Sequence, residues 1–326
     1  MKVEGYHFTR GMNNNIITIV DDVIQIHSYD DIGSGIIRKE RLDFIQSGEL
    51  HFILNKKDFN LLRQFNEVDI TTDGETICVQ AGKTKLKFQN QKEVKEYQPD
   101  LTDPTDLDLP IEILAAASEF VGDTDRMRGV LVTPGTVLAS DSKSLYRFDI
   151  KTKLDHKISV PTEILKLLDK ESGYEAKLCG KMIVMIGAGE IVYSTLIEGF
   201  VDTLDKLEFE SKDYIEIKKE EFLHHMNLAL NFSEIGDFEI IDDKRLMINS
   251  VLIDGQVSSY SAETEAKSTI KKTENCYSIK NMIKVAKNAK DIVKLRIHHD
   301  AYFIQEDGMT ALTMAVRVHK KKEENA

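Results

Sequence analysis

The chain has 326 residues, of which 41% are hydrophobic and 30% charged, and its formal net charge is −12. This length predicts two or three domains with ordinary buried cores. The acidic balance argues against binding nucleic acid over the whole surface, although screening leaves room for a local basic track. Three widely spaced cysteines predict reduced thiols in a cytoplasmic protein, and no apolar run is long enough to span a membrane.

Two segments are typical of linkers and divide the chain into three pieces. Residues 97–110 hold three of the five prolines and several aspartates, and residues 202–213 are acidic without a clear periodicity. The predicted domains are therefore residues 1–100, 108–204 and 211–319, followed by a charged tail over residues 320–326.

The first piece opens almost directly in a strand. Two β-rich runs, NIITIVDDVIQIHSYDD and VDITTDGETICVQAGKTKLKF, predict hairpins, and Asp73-Gly74 suits a tight turn between strands. Between these runs, residues 55–65 predict a short amphipathic helix with Asn55 as its cap. The second and third pieces repeat this pattern.

The second and third pieces add a helix before their strands, predicted at residues 110–123 and 218–234, for which the first piece has no counterpart. Their later helices are predicted at residues 160–172, with Pro161 in the first turn, and from Ser278, a favourable cap, to residue 291. The sequence therefore predicts an α+β protein of three repeated units, each a mostly antiparallel sheet with one or two helices on one face.

The run VLASDSKSLYRFDI, residues 137–150, raises the question of a serine nucleophile. Ser140 and Ser142 lie beside Asp141, but no G-x-S-x-G elbow surrounds them and no histidine is close in sequence. Because aspartate and serine readily cap turns, the favoured interpretation is a turn between two strands. A hydrolase built on Ser140 or Ser142 is the alternative from another functional class.

Histidine pairs and a glycine-rich triplet are the other candidates for chemistry. His224-His225 and His298-His299 cannot chelate one ion together in regular structure, because adjacent side chains point apart on a strand or a helix. GAG at residues 187–189 lies between two strand-like runs, which predicts a hairpin turn and not a phosphate cradle. No cofactor, metal site or enzymatic activity is predicted.

Basic stripes on two predicted helices suggest contact with a phosphate backbone. The lysines of residues 278–291 share one helix face, and the basic residues of residues 55–65 stand apart from the apolar ones. A single stripe is more typical of a solvated face, but repeated units can present repeated basic faces to DNA without reading its sequence. The predicted DNA-binding residues are Lys56, Lys57, Arg63, Lys166, Lys280, Lys284, Lys287 and Lys290.

Three phrases occur in order on these repeated units. ASDSKSLYRF covers residues 139–148, LIEGFVDTLDKL covers residues 196–207, and LTMAVRV covers residues 312–318. They are similar to the middle-domain signature, the phrase that closes that domain, and the terminal strand of one family. The chain thus resembles the bacterial sliding clamps, the beta subunits of DNA polymerase III, from about residue 3 to residue 318.

The resemblance implies a ring. Two subunits of three similar sliding-clamp domains each would close head to tail as a homodimer, with antiparallel sheets outside and helices lining the hole. Double-stranded DNA would pass through it without sequence preference, and a replicative DNA polymerase and a clamp loader are the implied partners. The implied function is a processivity factor in a bacterial cytoplasm. A clamp-like adaptor that recruits replication or transcription partners without encircling DNA is the alternative.

The resemblance also implies a pocket for partner peptides between the second and third domains. Carried over by position, its residues are Met127, Ser140, Ser142, Lys143, Ser144, Leu145, Val201, Leu312, Met314, Val316 and Arg317. Lys143 and Ser144 stand where the family has histidine and arginine, and Val201 replaces its usual proline. A different peptide preference is therefore expected.

The first domain is shorter than the family's. It lacks the opening strand and helix by comparison, so one lining helix per subunit would be missing. The truncated, lysine- and asparagine-rich chain suggests a virus-encoded member of the family, such as one from a phage.

Overall fold

The structure is a computed structural model. It describes residues 1–44, 46–91, 97–124, 127–168, 173–197, 209–252, 258–273, 275–298 and 300–316. The chain forms two compact units, and their boundary runs inside the second predicted domain. Unit 1 comprises Met1–Ile111, Thr152–Leu154 and Val160–Glu198, and unit 2 comprises Glu112–Lys151, Asp155–Ser159 and Gly199–Ala326. The division into three repeated domains at the boundaries given above stays a prediction.

Short strands dominate both units. In chain order they are β1 (Lys2–Glu4), β2 (Asn14–Val20), β3 (Val23–Tyr29), β4 (Gly35–Arg41), β5 (Glu49–Asn55), β6 (Glu67–Thr72), β7 (Thr76–Ala81), β8 (Thr84–Gln89), β9 (Thr105–Asp106), β10 (Gly129–Val132), β11 (Thr136–Ser140), β12 (Ser144–Asp149), β13 (Ile158–Pro161), β14 (Glu175–Cys179), β15 (Met182–Gly187), β16 (Glu190–Thr195), β17 (Tyr214–Lys218), β18 (Ile235–Ile240), β19 (Arg245–Ser250), β20 (Ser261–Glu265), β21 (Lys267–Ser268), β22 (Cys276–Ser278), β23 (Ile292–His298), β24 (Ala301–Glu306) and β25 (Met309–Val316). The helices are α1 (Lys56–Leu62), α2 (Ile111–Ser118), α3 (Thr162–Leu167), α4 (Lys219–Leu230) and α5 (Ile279–Lys287).

Unit 1 contains two antiparallel sheets. One has the strand order β1-β6-β7-β8, and the other has the order β5-β2-β3-β4-β16-β15-β14-β9. The predicted turns are confirmed: Gly74 has a positive φ of 90° between β6 and β7, and Gly189 has a φ of 77° between β15 and β16. Glycine adopts these conformations without steric cost, which lets the chain reverse directly between paired strands.

Helix α1 packs on the core of unit 1 through Phe59 and Leu62, both fully buried. The side chain of Asn55 accepts a hydrogen bond from the Asp58 N–H at 2.9 Å, so the predicted cap is confirmed. Pro161 was expected in the first turn of α3. It instead ends β13 and takes the N-cap position with an extended ψ of 139°, because the helical backbone begins one residue later.

The opening of the chain differs in part from the sequence prediction. A short strand is present, since Lys2–Glu4 pairs with Glu67–Asp69, and the expected absence of an opening strand is wrong. A single 3-10 turn over Gly5–His7 follows this strand and leads through residues 8–13 to β2. A strand of only three residues forms here because β6 is available to pair with it. The amino-acid composition of the segment does not reveal that pairing.

A buried polar cluster accompanies this turn. His7 is 1% exposed, and its Nδ1 and Nε2 lie 2.5 Å from Glu40 Oε2 and 3.0 Å from Glu4 Oε2. Arg38 Nη2 donates to the Thr9 carbonyl at 2.6 Å. The hydrogen bond from His7, together with the charge of Arg38, outweighs burial and holds the pKa of Glu40 below its usual value. Buried charges of both signs thus compensate each other here.

The predicted linker at residues 97–110 is partly ordered by pairing. Its β9 pairs with β14, and the Leu107 N–H donates to the Ala176 carbonyl at 3.0 Å. Leu107 and Leu109 are buried at 1% and 8% exposure. The prolines and aspartates therefore flank an anchored edge strand rather than forming a free linker. Most of the second predicted linker, residues 202–208, lies outside the described residues.

Unit 2 is organised around β25. On one side β12 pairs with it, with Leu145 opposite Leu312, and on the other side β24 places Phe303 opposite Leu312. At its end, Ala315 and Val316 pair with β22, from which the sheet continues through β18 and β19 to β20. Helices α4 and α5 contribute buried side chains such as Phe222 and Met282, each worth about 1.5–3 kcal/mol of burial.

The predicted α+β class with mostly antiparallel sheets is confirmed. Helix α5 begins at the predicted cap, since Ser278 Oγ accepts a hydrogen bond from the Asn281 N–H at 3.4 Å. Within the described part of the chain, no helix is long and apolar enough to cross a membrane.

Candidate functional site

A groove of about 820 Å³ lies within unit 2. Four segments form its walls: residues 121–123, the turn before β12, the region from Leu230 to Ile235, and the first turns of α5. The last residues of β25, Met314–Val316, complete it. Since these segments come from distant parts of the sequence, the groove depends on the tertiary fold of this unit.

The turn between β11 and β12 is held by one carboxylate. Asp141 Oδ1 accepts hydrogen bonds from the Lys143 N–H at 3.0 Å, the Ser144 N–H at 2.6 Å and the Ser144 hydroxyl at 2.9 Å. The Ser140 hydroxyl donates to the Ser144 carbonyl, and Ser142 has a φ of +70°. The predicted turn is thereby confirmed, and the Ser140 hydroxyl is used to close it.

An ion pair crosses from this turn to α5. Lys284 Nζ lies 3.1 Å from Asp141 Oδ2, and the two side chains are only 20% and 18% exposed. Burial alone would raise the pKa of Asp141, but hydrogen bonds from Ser144, Lys143 and Lys284 outweigh it and hold that pKa below its usual value. Asp141 therefore stays ionised at neutral pH and fixes the turn relative to α5.

The end of β25 supplies the apolar wall. The Met314 N–H donates to the Lys143 carbonyl at 2.8 Å, which ties this wall to the turn. The side chain of Met314 remains 42% exposed. An exposed, flexible thioether beside polar groups is typical of surfaces that bind peptides.

The N-terminal turn of α5 supplies the opposite polar wall, with Ser278, Lys280, Asn281 and Lys284 facing the groove. Asn281 is buried, with 8% exposure, and Lys280 is exposed. The arrangement combines apolar surface with a few fixed polar groups. It is suited to binding a short extended segment, and it contains no arrangement of nucleophile and base among the described residues.

Comparison by sequence gives no relative: no protein-family model and no curated protein matches this chain. Solved structures do match. The beta subunit of a DNA polymerase from Streptococcus pyogenes has a TM-score of 0.75 at 13% identity and covers 97% of this chain and 99% of its own. The DNA polymerase III beta sliding clamp from Bartonella birtlesii, bound to griselimycin, has a TM-score of 0.75 at 14% identity, covering 98% and 99%.

A third structure, the beta clamp of Helicobacter pylori bound to a DNA ligase peptide, has a TM-score of 0.74 at 14% identity and covers 98% of this chain and all of its own. This chain has the sliding-clamp fold. The fold predicted from the three sequence phrases is therefore confirmed, and at these identities the likeness establishes the fold and not the activity.

Of the predicted peptide-pocket residues on this clamp fold, Lys143, Met314 and Val316 line the groove. Four others are buried and do not line the groove: Ser140, Ser144, Leu145 and Leu312. Ser142 lies in the turn and Met127 lies near it, and neither lines the groove. Val201 and Arg317 lie outside the described residues.

The predicted DNA-binding residues lie in both units. Exposed basic side chains in unit 1 are Lys56, Lys57 and Arg63 at α1 and Lys166 on α3. In unit 2, two lysines of α5 and one that follows it have carboxylate neighbours: Lys284 pairs with Asp141, Lys287 Nζ lies 3.9 Å from Glu119, and Lys290 Nζ lies 2.5 Å from Asp307. Lys280 and Lys284, two lysines of the predicted stripe, line the groove.

Several groove residues were not identified from the sequence. The segment at residues 121–123, Glu234 and Asn281 carry no motif, because they come together only in the tertiary fold. Ser278 was identified only as a helix cap. The histidines behave as expected for structural residues: His224 is exposed, and His225 Nδ1 lies 2.7 Å from the Tyr260 hydroxyl. His299 lies outside the described residues.

Proposed function

We propose that this protein is a DNA sliding clamp, a processivity factor that encircles duplex DNA as a head-to-tail homodimer and docks partner peptides in the groove of unit 2. The observation that carries the proposal is the match to bacterial clamps over nearly the whole of both chains, with an open groove at the end of β25. The mechanism is topological: a closed ring stays on DNA even when each contact is weak.

The groove supports peptide docking. It joins the exposed thioether of Met314 to polar groups on the turn and on α5. A structure of similar fold carries a DNA ligase peptide. Replicative polymerase and clamp loader are the partners that a processivity factor requires, and both would present a short segment to this groove.

Complementary sheet edges support the ring. Strand β8 is an edge strand of the smaller sheet of unit 1, and its Lys85 and Lys87 are exposed. Strand β20 is the last strand in the order of the sheet in unit 2, and its Glu263 and Glu265 are exposed. Alternate residues on a strand share one face, so pairing β8 of one subunit with β20 of another would set lysines against glutamates. Such a contact is heterologous and closes into a ring, which also covers both strand edges.

Charge reversal on one edge should open this contact. The variant Lys85→Glu with Lys87→Glu is expected to raise the dimer dissociation constant at least about tenfold, because like charges opposite each other on paired strands repel. Light scattering after gel filtration at micromolar concentration measures this as a shift from dimer to monomer mass. Adding Glu263→Lys and Glu265→Lys to the same chain should restore the dimer.

The matched control is Lys151→Glu with Lys153→Glu, which makes the same change in net charge at two exposed lysines that belong to neither β8 nor β20. It should leave the mass unchanged. A wild-type chain that is monomeric at micromolar concentration would count against the ring and would favour the adaptor described below.

Retention on DNA tests encirclement. Protein loaded on nicked circular DNA should remain bound and should leave within seconds of cutting the circle. Replacing Lys56, Lys57 and Arg63 with alanine should shorten retention and flatten its salt dependence, since each lost phosphate contact lowers the slope by about 0.9. The variant Lys151→Ala with Lys153→Ala should behave as wild type. If all the proteins are retained equally on the circular DNA, the basic residues at α1 do not contact the DNA.

A clamp-like adaptor that does not encircle DNA is the second candidate. The observation that favours it is the pairing of Lys284, Lys287 and Lys290 with carboxylates, which reduces the positive charge that α5 and the residues after it can offer to phosphates. The adaptor would bind peptides in the groove yet show no difference between circular and linear DNA. The retention experiment therefore separates the two candidates.

A further inference from the structure

Asn281 is a buried polar side chain with no hydrogen-bond partner for its amide among the described residues. It is 8% exposed and lines the groove at the first turn of α5. Its backbone N–H is used by the cap on Ser278, but this leaves the carboxamide unpaired. The carboxamide is therefore free to take a hydrogen-bond partner from the groove side, and its position on a groove wall points to a group supplied by a ligand.

The same turn offers backbone donors. Helix α5 has nine residues and no acidic residue in its first turn. The Ile279 N–H donates to the Glu234 carbonyl at 2.9 Å, and Ser278 Oγ caps the Asn281 N–H. Between them, the Lys280 N–H has no acceptor among the described residues. The positive end of the helix dipole, with an available N–H, favours an anion at this place.

Side-chain charges point the same way. Lys280 and Lys284 both line the groove on α5. The principal carboxylate that opposes them, Asp141, is already occupied by Lys284 and by three hydrogen-bond donors of its own turn. Lys280 is exposed and keeps its charge available at the groove rim. Glu234 and Asp123 are the remaining acidic residues of the lining, and the Glu234 side chain is exposed to water.

We propose that Asn281 and Lys280 form a subsite for the side-chain carboxylate of an aspartate or glutamate in the partner peptide. The Asn281 carboxamide and the Lys280 N–H would donate to the carboxylate, and the Lys280 ammonium would neutralise it. This inference rests on the proposed docking function of the groove and adds the chemical class of one residue in the partner. A neutral amide could satisfy Asn281, but it would leave the helix terminus and Lys280 without a counter-charge.

A peptide selection tests the proposal. Random heptapeptides fused through their C-termini to a display protein are selected on the full-length wild-type chain, and clones that lose binding to the uncharged variant Met314→Gln are kept as groove binders. The expected result is enrichment of Asp or Glu at one position. Replacing that residue with Asn or Gln in the synthetic peptide should weaken binding to the wild type about tenfold, the loss expected for a hydrogen-bonded charge.

Variants of α5 then identify which residues cause the preference for the acidic peptide. With Asn281→Leu or Lys280→Gln, the acidic and amide peptides should bind within about twofold of each other, whereas Lys287→Gln, outside the groove on the same helix, should keep the tenfold preference. Lys280 is exposed, so its variant remains informative if Asn281→Leu fails to fold.

Three results would overturn the inference. Groove binders without a preferred acidic position, or acidic and amide peptides of equal affinity, would remove the subsite while leaving peptide docking intact. A preference that persists in both Asn281→Leu and Lys280→Gln would place the carboxylate elsewhere. If no clone is sensitive to Met314→Gln, the docking function of the groove itself fails, and this outcome is distinct from the others.

Discussion

Replacing Gly5 with alanine is expected to destabilise the protein by about 3 kcal/mol or more. A Cβ atom at this buried position would lie 1.7 Å from the Phe65 carbonyl oxygen and 3.0 Å from that of Leu62, and both are backbone atoms that cannot rotate away. The Gly5 N–H also donates to the Asn66 carbonyl at 3.0 Å, so the 3-10 turn cannot shift without losing this bond. Overpacking against backbone is at the severe end of single substitutions.

Urea unfolding followed by circular dichroism measures this loss. The matched control is Gly135→Ala, because a Cβ atom there has open space around it, and it should change stability by no more than about 0.5–1 kcal/mol. Equal stability of the two variants would mean that the opening segment does not pack on the turn after α1 as described.

A loss of stability in mild acid is expected from His27. Burial lowers the pKa of this histidine to about 4, whereas an unfolded histidine titrates near 6.5. The folded state therefore binds fewer protons than the unfolded state between these values. The stabilisation is fully present above about pH 6.5 and is lost as the pH falls toward 4, by about 2 kcal/mol at pH 5 and about 3 kcal/mol at pH 4.

The variant His27→Gln separates this effect from the titration of carboxylates. Glutamine does not titrate and can still form a hydrogen bond with the Tyr193 hydroxyl, which lies 2.7 Å from His27 Nε2. Unfolding free energies at pH 7.5 and pH 5 should differ by about 2 kcal/mol less in this variant than in the wild type. The control His51→Gln, at an exposed histidine, should keep the wild-type pH dependence. Parallel profiles for wild type and His27→Gln would contradict the assignment.

The helices and turns could be predicted from the sequence because their signals are local. Asn55 and Ser278 cap helices through side chains that act within three residues, and Gly74 and Gly189 occupy turn positions that demand a positive φ. The clamp fold followed from three short phrases on repeated units, although identity to the solved clamps is only 13–14% for the structures compared. Fold survives such divergence because burial pattern and turn chemistry tolerate many residues.

The candidate groove could be predicted only in part. Lys143, Met314 and Val316 were identified by position in the phrases, whereas Asn281 was not. The lysine stripe on α5 illustrates the limit: the 3.6-residue period predicts which side chains share a face, but not what that face meets. That Lys284 meets Asp141 depends on packing between segments more than a hundred residues apart, and no local pattern encodes it.

The position of β25 has a consequence for synthesis of the chain on the ribosome. Leu145 of β12 pairs with Leu312 of β25. Most of the residues of unit 2 lie between these two strands in the sequence. During translation β12 must wait, with one edge uncovered, until β25 has left the exit tunnel. Contacts this distant in sequence slow folding, and an unpaired edge invites association with other chains. A truncation that removes β25 should therefore yield a nascent chain that depends on chaperones and aggregates without them.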